Sequence, residues 1–212
     1  MPNWCNNNIT ISGDEGTIRT LTAVLKSIKT SDEEQSNNVF QSLIGLPQHM
    51  SDGDYKEKWY DTNIEWFGTK WDISYSEDMF TFTKDEISFF CETAWSPPIP
   101  FLQNLCEMYK VNANLFYSEG GVGFSGESTF NWVDGELEVY DDECGYLEGI
   151  YKYSRDEFWS EVESRVDCIL DEEQTLEDFI SEFDFVSEED KEELTRLYNE
   201  TIKENDEESE GE

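Results

Sequence analysis

Acidic residues are concentrated towards the C-terminus of this chain, and that distribution restricts how the chain can fold. Residues 134–212 contain 31 Asp and Glu against 6 Lys and Arg, a net charge of −25, whereas residues 1–133 have a net charge of −11. Closely spaced carboxylates repel one another in a compact state. The C-terminal region is therefore predicted to form elements that bury one apolar face and hold their acidic side chains in water.

The first region has enough aromatic and periodic sequence for a folded core. Aromatic residues make up 15% of the chain, and each buries a large area. Apolar spacing predicts a helix over residues 15–28, prolines open another near residue 100, and Asp134-Gly135 is a hairpin signal. Alternating segments predict strands at residues 8–12, 71–75, 80–82, 87–90, 114–117, 123–133 and 136–140. This order predicts an α+β domain over residues 1–150, with helices on one face of an antiparallel sheet.

Residues 151–205 have the pattern of an acidic α-helical C-terminal extension. Ser154-Arg155-Asp156-Glu157 is a capping box, Ser187-Glu188-Glu189-Asp190 is a similar helix start, and a further helix is predicted to begin near Thr175. Each of these helices has one apolar and one acidic face. Residues 206–212 are polar and acidic, so a disordered tail is expected there.

Five short blocks of the first region, taken together, resemble one known family. They occur in the family's order at residues 1–7, 59–65, 68–72, 93–100 and 121–126. The chain is similar there to the YubB-like ferredoxin-fold proteins of phages and plasmids, over roughly residues 1–130. The resemblance implies a ferredoxin-like βαββαβ core, an origin in a mobile element such as a bacteriophage, and no assigned chemical activity. The acidic helical part after residue 150 lies outside it.

The sequence offers weak signals for catalytic, metal or cofactor sites, and we expect none. Gly121 to Gly126 matches G-x-G-x-x-G, but the following residues read as a strand, whereas a dinucleotide site needs a helix there. His49 is the only histidine and lies in a polar segment. The five cysteines have no basic or histidine neighbour that would favour a reactive thiolate, and they read as small buried side chains.

One composition-based alternative remains open near residues 59–72. Carboxylates, a lysine and indoles lie close together there, and a hydrolase with paired carboxylates would look similar. A structural network, in which Lys70 pairs with an acid, would look the same in sequence. The residues concerned are Trp59, Asp61, Glu65, Lys70, Trp71 and Asp72.

Charge and composition favour a cytoplasmic protein that binds another protein. A net charge of −36 disfavours direct contact with nucleic acid or anionic membranes, and no stretch approaches the roughly 20 apolar residues of a membrane span. No secretory signal is visible, and an odd number of scattered cysteines indicates reduced thiols. The expected partner is therefore a host protein that is basic or binds nucleic acid.

Four functions remain open at this point, one of which is a purely structural role in a virion. The chain, as a phage accessory protein, is predicted to mimic nucleic acid and engage a DNA- or RNA-binding defence factor. A host immune sensor that recognises the chain as a trigger is an alternative, and a small enzyme near residues 59–72 is another. The candidate partner-binding residues are Glu161, Glu172, Glu177, Glu188, Trp59 and Trp71.

Overall fold

The computed structural model describes residues 3–28, 38–172 and 175–209, with the backbone alone at residues 167–172 and 204–209. The chain divides into two compact units, Met1–Cys144 and Gly145–Glu212. Each unit is described below by itself. None of the described helices is both long and apolar enough to cross a membrane.

The first unit contains one six-stranded sheet in the order β2-β3-β1-β4-β5-β6. β3 and β4 flank β1 on either side, and both pair with it in antiparallel register. β2 pairs antiparallel with β3, and β5 pairs antiparallel with β4. The strand bounds are β1 Trp4–Ser12, β2 Phe80–Phe82, β3 Glu86–Ala94, β4 Asn112–Glu119, β5 Phe124–Val133 and β6 Glu136–Gly145.

The helices of the first unit complete a ferredoxin-like core. Helices separate β1 from β2 and β3 from β4, so β1 to β4 and their crossovers follow a βαββαβ order. This confirms the predicted ferredoxin-like α+β fold, and β5 and β6 extend the sheet at one edge. The helix bounds are α1 Glu15–Ser27, α2 Val39–Ile44, α3 Asp52–Phe67 and α4 Ile99–Tyr109, with a 3₁₀ turn at Glu77–Met79.

Local sequence accounts for where α1 begins and which side it buries. The Asp14 carboxylate accepts hydrogen bonds from the backbone N–H groups of Gly16 and Thr17 at 2.9 and 3.0 Å, which satisfies donors that the first helical turn leaves without partners. Ile18, Leu21 and Leu25 then lie on one face and are fully buried. The helix predicted over residues 15–28 is thus present.

The strand predicted at residues 71–75 is wrong. Ile73 and Tyr75 alternate into the core as the pattern suggested, but the segment forms no strand and makes a single bridge between Ser74 and Asn38. The Asp134-Gly135 hairpin is confirmed, and both residues have positive φ angles of 53° and 89° as that tight turn requires. The last strand, β6, is largely exposed and carries acids along its length.

The second unit is helical in every described element, with a small aromatic core. Its helices are α5 Tyr146–Tyr153, α6 Arg155–Glu172, α7 Leu176–Ser181 and α8 Glu188–Ser209. Ser187 caps α8, because its hydroxyl accepts from the Asp190 N–H at 3.2 Å. The expected tail at residues 206–212 overlaps the end of α8, and residues 210–212 lie outside the described residues. The buried core consists of Ile150, Phe158, Val162, Val166, Phe179, Phe183, Val186 and Leu194.

Candidate functional site

Three loops and strand ends of the first unit meet where β1 begins and β3 ends. Trp4 pairs with Ala94 across the two strands. Thr69, which follows α3, accepts a hydrogen bond from the Ala94 N–H at 3.0 Å, and Ser96 donates to the Gly68 carbonyl at 2.6 Å. Gly68 is required here, because its φ is +82° and a Cβ would lie 2.4 Å from Pro100 Cδ. These contacts fix the backbone on which the candidate site is built.

Three exposed indoles lie together at this end of the sheet, and the Lys70 ammonium lies over two of them. The ring centroids of Trp4 and Trp71 lie 6.2 Å apart, and those of Trp71 and Trp95 lie 6.3 Å apart. The three side chains are 47%, 39% and 42% exposed. Lys70 Nζ lies 4.4 Å from the Trp71 ring centroid and 4.9 Å from that of Trp95, within cation–π range. These four residues are called the tryptophan cluster below.

The expected pairing of Lys70 with an acid is wrong. None of the ion pairs among the described side chains includes Lys70, whose ammonium lies over aromatic rings instead. Trp95 has a φ of +70°, a left-handed conformation that is unfavourable for a non-glycine residue, and its N–H donates to the Asn3 carbonyl at 2.9 Å. Trp4 and Trp95 were not among the predicted site residues.

Buried polar groups beneath the cluster have structural partners. The Asn7 amide donates to the Cys5 carbonyl at 2.7 Å, to the Cys91 carbonyl at 3.2 Å and to Thr93 Oγ1 at 2.9 Å. Burial raises the pKa of the Cys5 thiol to about 12 and raises that of Cys91 as well. Both cysteines are therefore neutral thiols at physiological pH, as small buried side chains are expected to be. Cys168 lies among the side chains that are not described.

Asp72 links the segment after α3 to the start of α2. Its carboxylate accepts from the backbone N–H groups of Phe40 and Gln41 at 2.8 Å each and from that of Ile73 at 2.7 Å. Burial raises the pKa of Asp72 to about 6, against the effect of these backbone donors. Asp61 and Glu65 are exposed on α3. The acids of residues 59–72 thus have different environments, and Asp72 serves as a helix cap.

Two clefts border Trp71. One cleft, of about 400 Å³, is lined by Trp71 together with Tyr55, Trp59, Asn63 and Asp72. The two predicted indoles, Trp59 and Trp71, therefore lie on the same surface. The other, of about 410 Å³, lies along the last residues of β3. Its lining includes Trp4, Trp71, Ile73, Met79, Phe90 and Glu92.

The glycine-rich segment Gly121 to Gly126 includes the turn after β4 and the first three residues of β5, so it leads into a strand and not a helix, as predicted. Glu119 is 2% exposed, and its carboxylate accepts from the N–H groups of Gly121 at 2.8 Å and Val122 at 2.6 Å. A carboxylate of the chain therefore occupies the loop amides that a phosphate would otherwise contact.

A network of hydrogen bonds and one ion pair surrounds the buried Asp190 carboxylate in the second unit. The Asp190 carboxylate accepts from the Arg155 guanidinium, the Tyr151 hydroxyl and the Ser187 hydroxyl, each at 2.6 Å. The pKa of Asp190 is lowered, because these donors together outweigh the burial that raises it. Asp190 is 7% exposed, whereas the Arg155 side chain is 49% exposed.

A groove of about 710 Å³ lies between α6 and α8 of the second unit. Of its acids, Glu163, Glu189 and Glu192 form no ion pair with any described cation, and Trp159 provides an aromatic wall. We call this surface the acidic groove. Its lining residues are Trp159, Glu163, Glu189, Asp190, Glu192, Glu193, Arg196 and Leu197.

The four predicted acidic partner residues lie on three helices, and those with a described side chain, Glu161, Glu177 and Glu188, do not line this groove. Glu161 lies 3.8 Å from Arg165, and Glu188 lies 3.0 Å from Lys191, so both have a cation of their own chain nearby. Glu177 is exposed in the first turn of α7. The Glu172 side chain lies outside the described residues. Sequence periodicity identified the acidic faces of the helices but not which faces meet in a groove.

Comparison with known proteins agrees with the ferredoxin-like class that the sheet defines. A family model for the ferredoxin-like domain in Api92-like protein matches residues 70–199. The chain therefore belongs to the Api92-like family. The match includes α5 to α7 and the first part of α8, so family membership extends beyond residue 130 into the acidic second unit.

Among solved structures, the crystal structure of the protein api92 from Yersinia pseudotuberculosis is similar over 69% of this chain and 98% of its own chain. The TM-score is 0.36 and the sequence identity is 9%. None of the curated proteins compared with the chain matches it.

Proposed function

We propose that this protein binds a basic protein partner through the acidic groove of its second unit. The observation that carries the proposal is the set of three groove carboxylates, Glu163, Glu189 and Glu192, without a described cationic partner beside the Trp159 indole. Carboxylates left unpaired next to an aromatic face suit Lys and Arg side chains, which form ion pairs and cation–π contacts together.

The spacing of charge on α8 supports a partner that otherwise binds nucleic acid. Five of the six residues from Glu188 to Glu193 are acidic, and Lys191 is the sole cation among them. Asp190 is buried and paired with Arg155, Glu188 is paired with Lys191, and Glu193 is paired with Arg196. Glu189 and Glu192 are therefore the carboxylates of this segment that a basic groove, which otherwise accepts phosphate groups, would pair with.

The biological setting of the proposal follows from the sequence resemblance. The blocks at residues 1–126 resemble the YubB-like proteins of phages and plasmids, and we place the chain in the cytoplasm of an infected bacterium as a phage accessory protein. Its partner is then a DNA- or RNA-binding host defence factor, which the acidic groove engages in place of nucleic acid.

The test is capture of partners from bacterial lysate by the tagged full chain, followed by mass spectrometry at low and high salt. We expect a nucleic-acid-binding protein that is released at high salt and displaced by duplex DNA. The triple variant Glu163→Gln, Glu189→Gln, Glu192→Gln should lose this partner.

A matched control changes the same amount of charge on the first unit, with Glu57→Gln, Asp61→Asn and Glu65→Gln. These three side chains are exposed on α3, and the control should retain the partner. Equal retention by both triple variants would exclude the groove as the binding surface.

A second candidate function has support from the first unit. The indoles of Trp4, Trp71 and Trp95 are exposed, and tryptophan side chains often contribute most of the binding energy of a protein interface. A host immune sensor that recognises the chain could bind this surface. In that case Trp4→Ala and Trp71→Ala should weaken binding at least tenfold while salt has little effect. Retention of the partner by both variants would remove this candidate.

The enzymatic alternative near residues 59–72 draws less support. The Asp72 carboxylate is occupied by three backbone N–H groups, and Asp61 is exposed on α3. If Asp61→Ala and Asp72→Ala proteins fold and retain function in infected cells, this alternative is excluded.

A further inference from the structure

The cleft of about 400 Å³ beside α3 is lined by three aromatic side chains. Tyr55 and Trp59 lie four residues apart on α3, and Trp71 follows that helix in the chain. The two indoles are 38% and 39% exposed, and none of the ring contacts among the described side chains joins them. The space that they border is therefore open to a ligand, and its volume lies within the usual range for ligand pockets.

Asp72 also lines this cleft, and none of the ion pairs among the described side chains includes it. Its Oδ1 atom accepts from the backbone N–H groups of Phe40 and Ile73, and its Oδ2 atom accepts from that of Gln41. A carboxylate has about four lone-pair sites, so Asp72 can accept roughly one further hydrogen bond. These neutral donors leave its negative charge without a counter-charge, which a cationic ligand would supply.

The other polar side chains of the cleft are already hydrogen-bonded within the chain. The Tyr55 hydroxyl donates to Asn63 Oδ1 at 2.9 Å, and the Asn63 amide donates to the Lys70 carbonyl at 2.8 Å. The Asn38 amide donates to Gln41 Oε1 at 3.4 Å. A primary ammonium brings three N–H donors and a guanidinium five, and each needs an acceptor once it leaves water. A quaternary ammonium has no N–H group and binds through aromatic faces and negative charge, so it suits this lining better.

A lysine at the same cleft indicates what the rest of the ligand carries. Lys56 lines the cleft, is exposed and forms no ion pair with any described acid. The lining thus contains one carboxylate and one ammonium, which suits a ligand with both signs of charge. The Lys70 ammonium, which lies over Trp71 and Trp95, is not part of this lining. A ligand with no net charge also avoids repulsion by a chain of net charge −36.

We propose that this cleft binds a zwitterionic phosphocholine head group, with the quaternary ammonium between Trp59 and Trp71 and the phosphate beside Lys56. The ammonium has no N–H donor to satisfy, so the aromatic faces and the Asp72 charge hold it. The phosphate accepts from the Lys56 ammonium. The site lies on the first unit, includes no residue of the acidic groove and goes beyond the proposed binding of a basic protein.

The test is isothermal titration calorimetry of the full chain with glycerophosphocholine at about pH 8, where Asp72, with a pKa of about 6, is ionised. We expect saturable binding. Glycerophosphoethanolamine should bind about tenfold more weakly, because its primary ammonium brings N–H donors for which the cleft has few acceptors. Choline, which lacks the phosphate, should bind about threefold more weakly.

Substitutions of the aromatic and acidic lining locate the ammonium. Trp59→Ala removes one aromatic face and should weaken glycerophosphocholine binding about tenfold. Trp4→Ala is the matched control, since Trp4 is an exposed indole that does not line this cleft, and it should bind normally. Asp72→Asn should also weaken binding about tenfold. Amide hydrogen exchange in that variant checks that α2 and α3 remain folded.

Substitution of one lysine tests the position of the phosphate. Lys56→Gln should weaken the binding of glycerophosphocholine about threefold and leave that of choline unchanged. Lys58→Gln is the matched control, because Lys58 is exposed on the same helix but does not line the cleft. It should change the affinity for neither ligand.

Vesicles of phosphatidylcholine distinguish a lipid source of the head group from a free ligand. Co-sedimentation with the vesicles that glycerophosphocholine competes away would indicate a lipid. Binding of the soluble ligand without co-sedimentation would indicate a free ligand, and both results support the proposed chemistry.

Three outcomes would overturn the proposal. They are absence of saturable binding, equal affinity for glycerophosphoethanolamine, and undiminished binding by Trp59→Ala. The triple variant Glu163→Gln, Glu189→Gln, Glu192→Gln should bind glycerophosphocholine normally, so the result does not depend on whether the acidic groove binds a protein.

Discussion

Residues 1–144 and residues 145–212 each contain 25 Asp and Glu, although the second unit has less than half the length of the first. In the first unit, Asp72 and Glu119 accept hydrogen bonds from backbone N–H groups that a helix start and a loop leave without partners. In the second unit, Asp190 has a comparable structural role, whereas most of the other described acids face solvent. An acid thus stabilises this fold where its carboxylate accepts hydrogen bonds from backbone N–H groups or pairs with a cation, and elsewhere it is a repulsive surface charge.

The second unit has the higher density of acidic residues but the smaller hydrophobic core. Among the described residues, the first core contains 26 buried residues and the second contains 8, of which three are phenylalanines. The denser charge therefore lies on the smaller core. This contrast predicts that residues 145–212 respond more strongly to changes in packing, pairing and ionic strength.

The largest effect is expected from truncating Phe158, which packs edge-on against Tyr151 at 5.1 Å and Phe183 at 6.0 Å between ring centroids. Phe158→Ala should cost about 4 kcal/mol. Amide exchange should then show loss of protection throughout residues 145–212. Phe101→Ala, the same change in the larger core, should leave residues 3–144 folded though less stable. Equal loss of structure in both variants would contradict the comparison.

The next largest effect concerns the Asp190 network. Asp190→Asn removes the charge that pairs with Arg155 and weakens the hydrogen bonds from Tyr151 and Ser187. We expect a loss of about 2 kcal/mol, less than for a fully buried pair because Arg155 is half exposed. Asp184→Asn is the matched control, since Asp184 is exposed, and it should leave chemical denaturation of the second unit unchanged.

The same network sets the sign of one pH dependence. Because the pKa of Asp190 is lower in the folded state, its stabilising contribution is fully present above its unfolded pKa and is lost as pH falls through its folded pKa. Asp190→Asn should remove this part of the acid sensitivity. If wild type and variant lose stability in parallel as pH falls, the carboxylate does not stabilise the fold.

A smaller effect is expected for Asp72→Asn in the first unit. The amide retains one acceptor oxygen but presents an NH₂ group to a backbone N–H of α2, so one buried donor loses its partner. The expected loss in unfolding free energy is about 1 to 2 kcal/mol. Asp61→Asn, at an exposed position of α3, is the control and should be neutral. Thermal unfolding of the two variants side by side provides the measurement.

The smallest effect is that of salt. Raising NaCl from about 10 mM to about 0.5 M shortens the screening length from roughly 30 Å to a few ångströms and weakens repulsion among surface carboxylates. The protection of amides in residues 145–212 should rise by up to about 1 kcal/mol, and that of residues 3–144 by less. A larger rise in the first unit would reverse the proposed difference.

Much of the fold could be predicted because the spacing of apolar residues and the residues typical of turns and helix caps indicate the same elements. The α1 helix, the strands around the Asp134-Gly135 hairpin and the Ser187 cap each have a signal within a few residues. The strand predicted at residues 71–75 failed because alternation reports which side chains are buried and not which backbone groups pair. There, Ile73 and Tyr75 are buried while Asp72 ties the segment to α2.

Other elements gave no clear signal. The α3 helix was not predicted, because Trp59, Tyr60 and Ile64 are exposed on it and its apolar residues do not follow one face. For the candidate sites, composition identified Trp59 and Trp71, which do line one cleft. Trp4 and Trp95 are distant in sequence and join Trp71 through the pairing of β1 with β3. The acidic groove likewise depends on how α6 and α8 meet, which periodicity does not encode.

The exposed strand β6 bears on the colloidal behaviour of the chain. A long strand at a sheet edge is a template for pairing with further molecules, and charged side chains are a common protection. β6 carries Glu136, Glu138, Asp142 and Glu143, beside the exposed apolar residues Val139 and Tyr140. Near the isoelectric point of about 4.1, the net charge of the chain approaches zero, so electrostatic repulsion between molecules is lost. Acidification should therefore promote self-association and precipitation through this edge before it unfolds the sheet.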